Sequence, residues 1–246
     1  AITSEPGLDW VNEGNISGGS LTITAGDFKN RGSISDCDIE VDTSDSFENS
    51  SGATISGGTL DIIRCDMTCS NDGTLTGEIT VSIQSGELGN DGTISGGTYT
   101  IATGCTLSNS NTISGGTYTI AADGELNNYN TISGGTFSGS GRIWCGNYEA
   151  ITGGTFSCSL QGAGETVENA QINGEIANGG TYETTCRYGE SAYVNDWNFD
   201  GTIKLSVTAN GTPTVINYGT NVLQSLSALL EEGNRWTRRP KARAGH

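Results

Sequence analysis

Apolar residues along this chain are sparse, short in run and regular in placement. Aligning on one aliphatic residue per unit gives Ile16, Ile34, Ile55, Leu75, Ile94, Ile113, Ile132, Ile151 and Ile172, separated by 18, 21, 20, 19, 19, 19, 19 and 21 residues. A fixed period near this length marks a solenoid, in which each coil buries its apolar side only against the coils above and below. Within a unit the pattern is that of strands. In Thr117-Tyr118-Thr119-Ile120, Tyr and Ile alternate with Thr, the period of a half-buried strand, and the preceding Gly115-Gly116 suits a corner. Each unit therefore predicts a short Thr-Ile-Ser strand, a Gly-Gly corner, a longer Thr-Tyr-Thr-Ile strand, a turn, and a third short strand ending in Leu. The expected fold is all-β: a parallel β-helix of about 19-residue, three-faced coils, right-handed, over residues 1–200.

Two columns follow from this alignment. Leu21, Ile39, Leu60, Ile79, Tyr99, Tyr118, Phe137 and Phe156 are expected to share one inward position. Asn12, Asn30, Asn49, Asn71, Asn90, Asn109, Asn128, Asn147 and Asn169 fall just before the aliphatic anchor. A buried Asn at such a corner can satisfy backbone groups that a turn leaves unpaired, and its amide can pair with the Asn of the next coil.

Residues 201–246 depart from the repeat. Two strand-like runs meet at Asn210-Gly211, a hairpin signal, and Val222, Leu223, Leu226, Leu229 and Leu230 follow at helical spacing. The segment is expected to cap the last coil or to form a small hairpin-plus-helix module.

Composition sharpens the class. The chain has 246 residues, 38 of them Gly, and a formal net charge of -17. Through residue 203 there are five Lys or Arg against 26 Asp or Glu; beyond it six basic residues face two acidic ones. A body so acidic would repel phosphate, which argues against nucleic-acid binding. No apolar run is long enough to span a bilayer or to form a signal-peptide core. Seven cysteines, at 37, 65, 69, 105, 145, 158 and 186, cannot all pair internally. Cys69, Cys145 and Cys158 fall at inward positions, and Cys65–Cys69 or a contact between coils could form a disulfide.

The catalytic inventory is thin, and the balance falls against an enzyme. The one histidine is His246, the last residue, which removes Ser-His and Cys-His chemistry. In "DCDIEVD", Asp36, Asp38, Glu40 and Asp42 alternate with apolar residues, so four carboxylates should line one outer face. That row reads as a Ca²⁺ site or a catalytic carboxylate cluster, or as a charged strand that resists edge-to-edge aggregation; charge runs are more often the last. Tyr129 and Tyr148 hold equivalent corner positions in consecutive units, and alternation places Trp144 outside beside Arg142. These four form a candidate ligand-binding patch, since exposed aromatic faces stack on the apolar faces of sugar rings. Arg187, Tyr188, Tyr193 and Trp197 lie in one of the few irregular stretches and are the candidate walls of a pocket. Thr98, Thr100, Thr117 and Thr119 suggest a flat hydroxyl array of the kind ice-binding β-helices carry. Charges at Asp38, Glu40, Asp61 and Glu78 on the same face should spoil a lattice match, which leaves good strand formers on a solvated surface.

The "TISGGTYTI" units with their Asn column resemble the pectate-lyase-like β-helices of bacterial secreted and surface proteins. That resemblance implies secretion or surface display; it hosts lyases, hydrolases, tailspikes and non-catalytic adhesins alike. The lyases among them use Asp-bound Ca²⁺ with an Arg or Lys base, a grouping not obvious here. Tyr218-Gly219, Gly233 and Trp236 are loosely similar to the β-grasp repeat of Listeria and Bacteroides surface proteins, whose following strand is replaced here by "TRRPKARAGH". The expected function is a non-catalytic, adhesin-like protein that binds polysaccharide, host glycans or a host surface protein. A polysaccharide-degrading lyase or glycosidase, and a plain structural stalk, are the alternatives.

Overall fold

A computed structural model shows a parallel β-solenoid of about eight coils, all-β, with three sheets. It describes the backbone of residues 2–3, 9–145, 150–162, 166–167, 170–172, 176–177, 181–187, 202–209 and 212–218, and the side chains of residues 9–145 and 151–160. No helix among the described residues is long and apolar enough to cross a membrane.

Every coil contributes one strand to each sheet. The first sheet holds the long strands, such as Asp38–Thr43, Thr98–Ile101 and Thr117–Ile120; the second holds Phe28–Asn30, Glu87–Asn90 and Glu125–Asn128; the third holds Asn15–Ser17, Thr54–Ser56 and Thr93–Ile94. Parallel pairing keeps equivalent residues in columns, so each column is one side-chain type repeated at the interstrand spacing. The aliphatic anchors from Ile16 to Ile151 run as one column in the third sheet. In the second sheet Trp10, Phe28, Phe47, Cys69 and then Leu88, Leu107, Leu126, Ile143 and Leu160 point inward. Together with the first-sheet column these fill the rod.

That first-sheet column runs Leu21, Ile39, Leu60, Val81, Tyr99, Tyr118, Phe137, Phe156, which corrects one expected member. "LTGEITV" holds one residue more than "ISGGTY", so Val81 takes the column and Ile79 drops back to the corner, where it is still buried. The corner and the column complement one another in volume. Where the column is aromatic, the corner is Gly97, Gly116, Gly135 or Gly154, and a Cβ there would sit 3.1–3.3 Å from the ring or hydroxyl of the coil's own Tyr or Phe. Where the column is Ile39 or Val81, the corner carries Cys37 or Ile79, which restores the missing bulk. The aromatic rings stack with centroids 4.5–4.7 Å apart from Tyr99 to Phe156.

The Asn column is a hydrogen-bonded chain. Each Nδ2 donates to the Oδ1 of the next Asn at 2.7–2.8 Å, from Asn12 through Asn30, Asn49, Asn71, Asn90 and Asn109 to Asn128. All of these amides but that of Asn49 also donate to the turn carbonyl two residues on, as Asn90 does to Gly92 at 3.2 Å. The ladder stops there. Asn128 pairs with Cys145, not Asn147, and the next coil places Gly162 at that position. Asn169 lies outside the described residues. Ile172 is likewise no anchor: Val167 pairs with Ile151, and Ile172 pairs with Phe156 in the first sheet. That coil is shorter than the alignment supposed.

Near the end, Thr202–Ala209 joins Thr181–Arg187 in parallel, and Thr212–Tyr218 turns back antiparallel to it. The expected hairpin is therefore present as two strands on the edge of the third sheet. The helical stretch at 222–230 lies outside the described residues.

Candidate functional site

The outward face of the second sheet near its described end brings together the aromatic and basic candidates. Arg142–Cys145 alternates, with Ile143 and Cys145 buried and Arg142 and Trp144 facing solvent. Trp144 pairs in register with Asn127 and is 38% exposed; Tyr129, one residue past the last Asn of the ladder, is 49% exposed. Their rings meet edge to face, with centroids 5.6 Å apart and planes at 61°. That geometry suits the opposed quadrupoles of face and edge, and it holds the Trp144 ring in one orientation. Arg142 forms an ion pair with Glu125 on the preceding coil, so its guanidinium is held two residues along the strand from the indole. Trp144 and Tyr129 thus form an apolar platform flanked by a fixed pair of charges and the Asn127 amide. Tyr148, Tyr188, Tyr193 and Trp197 lie outside the described residues, as does the side chain of Arg187, so the candidate pocket in that stretch receives no structural account.

The carboxylate row faces outward as expected: Asp38 and Glu40 are exposed, and Asp42 is half-buried. Asp36 sits before the strand at a corner with φ +51, a backbone region that Asp tolerates better than most residues. The row is dispersed by its neighbours. Asp42 pairs with Arg64 at 2.9 Å, Arg64 also reaches Asp66 at 3.6 Å, and Asp38 accepts a hydrogen bond from Thr59 at 3.2 Å. Among the described residues no three acidic, Cys or His side chains converge as a cation would need.

The hydroxyl face is longer than the sequence suggested. Because Val81 holds the inward column, the outward pair in its coil is Thr80 and Ser82, and Glu78 is moved off to the corner. Five successive coils then carry Thr80/Ser82, Thr98/Thr100, Thr117/Thr119, Thr136/Ser138 and Thr155/Ser157 in two straight ranks without a charge. The carboxylates of Asp38, Glu40 and Asp61 belong to the coils before them.

The thiols divide by burial. Cys37, Cys69, Cys105, Cys145 and Cys158 are buried, and burial pushes the Cys158 thiol up to about 12. Cys65 is half-buried beside Cys69. A hydrogen bond from the Cys69 thiol holds Cys65 below the usual thiol range, while that same contact, reinforced by burial, raises Cys69 well above it.

No protein-family model matches this chain, and neither a curated protein nor a solved structure does. The functional reading therefore rests on the surface chemistry alone.

Proposed function

We propose that this chain is a non-catalytic, adhesin-like binding protein of a bacterial surface or secretion, and that it holds glycan on the Tyr129–Trp144 platform. The observation that carries the reading is the oriented, solvent-facing pair itself. An exposed indole gains nothing from water, and here it is propped by a second ring rather than folded onto the rod. A sugar ring stacked on Trp144 would find polar partners in Arg142, Glu125 and Asn127 at the rim of the same patch.

The test is binding of the purified chain to a broad glycan array, with and without Ca²⁺, while chain cleavage is followed in parallel. Binding without cleavage, reduced about tenfold or more by Trp144→Ala and by Tyr129→Ala, is the expected result. Cleavage would replace this reading with a polysaccharide-degrading enzyme. No binding under either condition would leave a structural stalk.

One observation favours a second reading, the binding of ice by the uncharged hydroxyl face. Its hydroxyls repeat at about 4.8 Å from coil to coil and about 6.7 Å along each strand, over five coils. Inhibition of ice recrystallisation, lost in Thr100→Lys and Thr119→Lys and kept in Trp144→Ala, would establish it. No inhibition by the unaltered chain would dismiss it.

A further inference from the structure

Cys69 stands in a column that otherwise carries large apolar side chains. It pairs with Phe47, and the following coils place Leu88 and Leu107 there. A thiol is too small for that position, and the missing volume is met by Cys65, which packs against the same core from the end of the strand Thr59–Cys65. Only Asp66, Met67 and Thr68 separate the two. The turn is drawn tight by Cys65 itself, whose Sγ donates to the Thr68 carbonyl at 3.1 Å and lies 3.6 Å from the Asp45 carbonyl. Across this turn the Cys69 and Cys65 thiols meet in a side-chain hydrogen bond. Access is unequal: Cys65 is half-buried, whereas Cys69 is 5% exposed.

We propose that Cys65 and Cys69 form a reactive dithiol, with Cys65 as the attacking thiol and Cys69 as the resolving one, that closes to a disulfide on meeting a low-molecular-weight disulfide. The Cys65 thiolate attacks one sulfur of the reagent R–S–S–R, forming a mixed disulfide and releasing R–S⁻. Cys69 then gives up its proton to solvent and attacks the Cys65 sulfur, expelling the second R–S⁻ and leaving the Cys65–Cys69 disulfide. The two protein thiols are oxidised and the reagent is reduced to two thiols. The division of labour follows from thiolate character and access, since attack requires an exposed, partly ionised sulfur and resolution requires only a neighbour. Hydrogen bonding from Cys69 lowers the Cys65 thiol in the required direction.

The experiment uses the whole reduced chain and oxidised glutathione at neutral pH. Samples are quenched with N-ethylmaleimide, unfolded, and mapped by peptide mass. The expected product is a peptide holding Cys65 and Cys69 that is two hydrogens lighter and takes up no maleimide. It should form at least roughly tenfold faster than any adduct at the buried Cys37 or Cys158. Cys69→Ser should stop at the glutathione adduct of Cys65, and Cys65→Ser should leave Cys69 unreacted. The proposal is overturned if Cys65 reacts no faster than Cys37 and Cys158 in the unaltered chain, a comparison within one folded molecule. It is equally overturned if glutathione stays on Cys65 without transfer to Cys69, or if Cys69 reacts in the absence of Cys65.

Discussion

Replacing Asn90 by Ala tests whether the amide ladder holds the rod together or merely decorates a corner. Asn90 is buried in the middle of the ladder. Its Nδ2 donates to Asn109 at 2.7 Å and to the Gly92 carbonyl at 3.2 Å, with a longer contact to the Thr112 carbonyl at 3.4 Å, and its Oδ1 accepts from Asn71 at 2.7 Å. Three bonds at a net of about 1 kcal/mol each are lost. The substitution also strands the Asn109 Oδ1 that Asn90 supplied, in a place water does not reach, and a buried orphan costs a further ~1–3 kcal/mol. The expected loss is about 4–6 kcal/mol. Asn12 makes the same kind of contacts, to Asn30 at 2.7 Å and to Gly14 at 3.2 Å, but it is half-buried at the first rung and water can replace them. Asn12→Ala should therefore cost only about 1 kcal/mol. The assay is urea unfolding followed by far-ultraviolet circular dichroism, with the shift in midpoint read at unchanged slope. An Asn90→Ala loss no greater than that of Asn12→Ala would refute the reasoning, because position in the ladder would then not set the cost.

Three other outcomes follow from the same geometry. Tyr99 and Tyr118 stack in one column, yet only Tyr118 donates its hydroxyl, to the Gly115 carbonyl at 2.9 Å, while the Tyr99 hydroxyl is buried without a partner. Tyr118→Phe should then cost about 1 kcal/mol and Tyr99→Phe should be neutral or stabilising by a similar amount; equal effects in denaturant melts would contradict this. Gly139 has φ +113 and a Cβ there would run into the Ile120 carbonyl, whereas Gly104 has φ +72 and open space. Gly139→Ala should cost about 3 kcal/mol or more and Gly104→Ala about 1, a difference visible in thermal midpoints. Burial raises the Tyr99 and Tyr118 hydroxyls and the Cys158 thiol above their unfolded values. Their contribution to stability is whole below those values, about 8.5 for Cys and about 10 for Tyr, and is lost as pH rises toward the folded ones, at ~1.4 kcal/mol per pH unit for each group. Thermal midpoints should fall above pH ~9, first through the buried thiols, Cys69 and Cys158 among them, and Cys158→Ala should make that first segment shallower; a flat profile to pH ~11 would contradict the burial argument.

The aliphatic anchors from Ile16 to Ile151 and the Asn ladder to Asn128 were legible in the sequence because sheet register repeats them and nothing else in the chain does. The misplacements of Ile79, Asn147, Glu78 and Ile172 share a cause. Alignment on one anchor treats a coil as a unit of fixed internal spacing, but a coil has three turns that absorb insertions separately. The extra residue in "LTGEITV" is taken up between the third and first sheets, so everything after it moves by one and the inward and outward sets exchange. The hydroxyl face was undervalued for the same reason, since Glu78 seemed to interrupt it. The sequence placed Tyr129 and Trp144 in one candidate patch, but not their edge-to-face contact. They are 15 residues apart in sequence, and only the register of Asn127 with Trp144 brings the rings together.

That register also explains why the aromatic patch stands where it does. From Phe137 to Ile143 the chain takes two residues fewer than from Tyr118 to Leu126, and from Cys145 to Ile151 it takes two more than from Asn128 to Ile132. The period of 19 survives, but the turns have exchanged length. The short turn needs Gly139 at φ +113 and Gly141, where a Cβ would strike backbone and the Ile120 side chain. At the start of the longer connection Cys145 stands where the preceding coils place an Asn, which in most of them bonds to the carbonyl two residues on, as Asn12 and Asn128 do; Asn49, before an equally long connection to Ile55, donates instead to Asn71 and to the Thr74 carbonyl. Up to that point the ladder is continuous although the coils differ in their turns, six residues from Asn49 to Ile55 against four from Asn128 to Ile132. Where the ladder ends, the strand that carries Cys145 also carries the exposed indole. A scaffold departs from its own repeat at some cost in hydrogen bonding, and irregular segments on rigid frames are where binding residues concentrate. The end of the amide ladder and the Tyr129–Trp144 platform lie side by side, and this is the place on the rod where a ligand should be sought first.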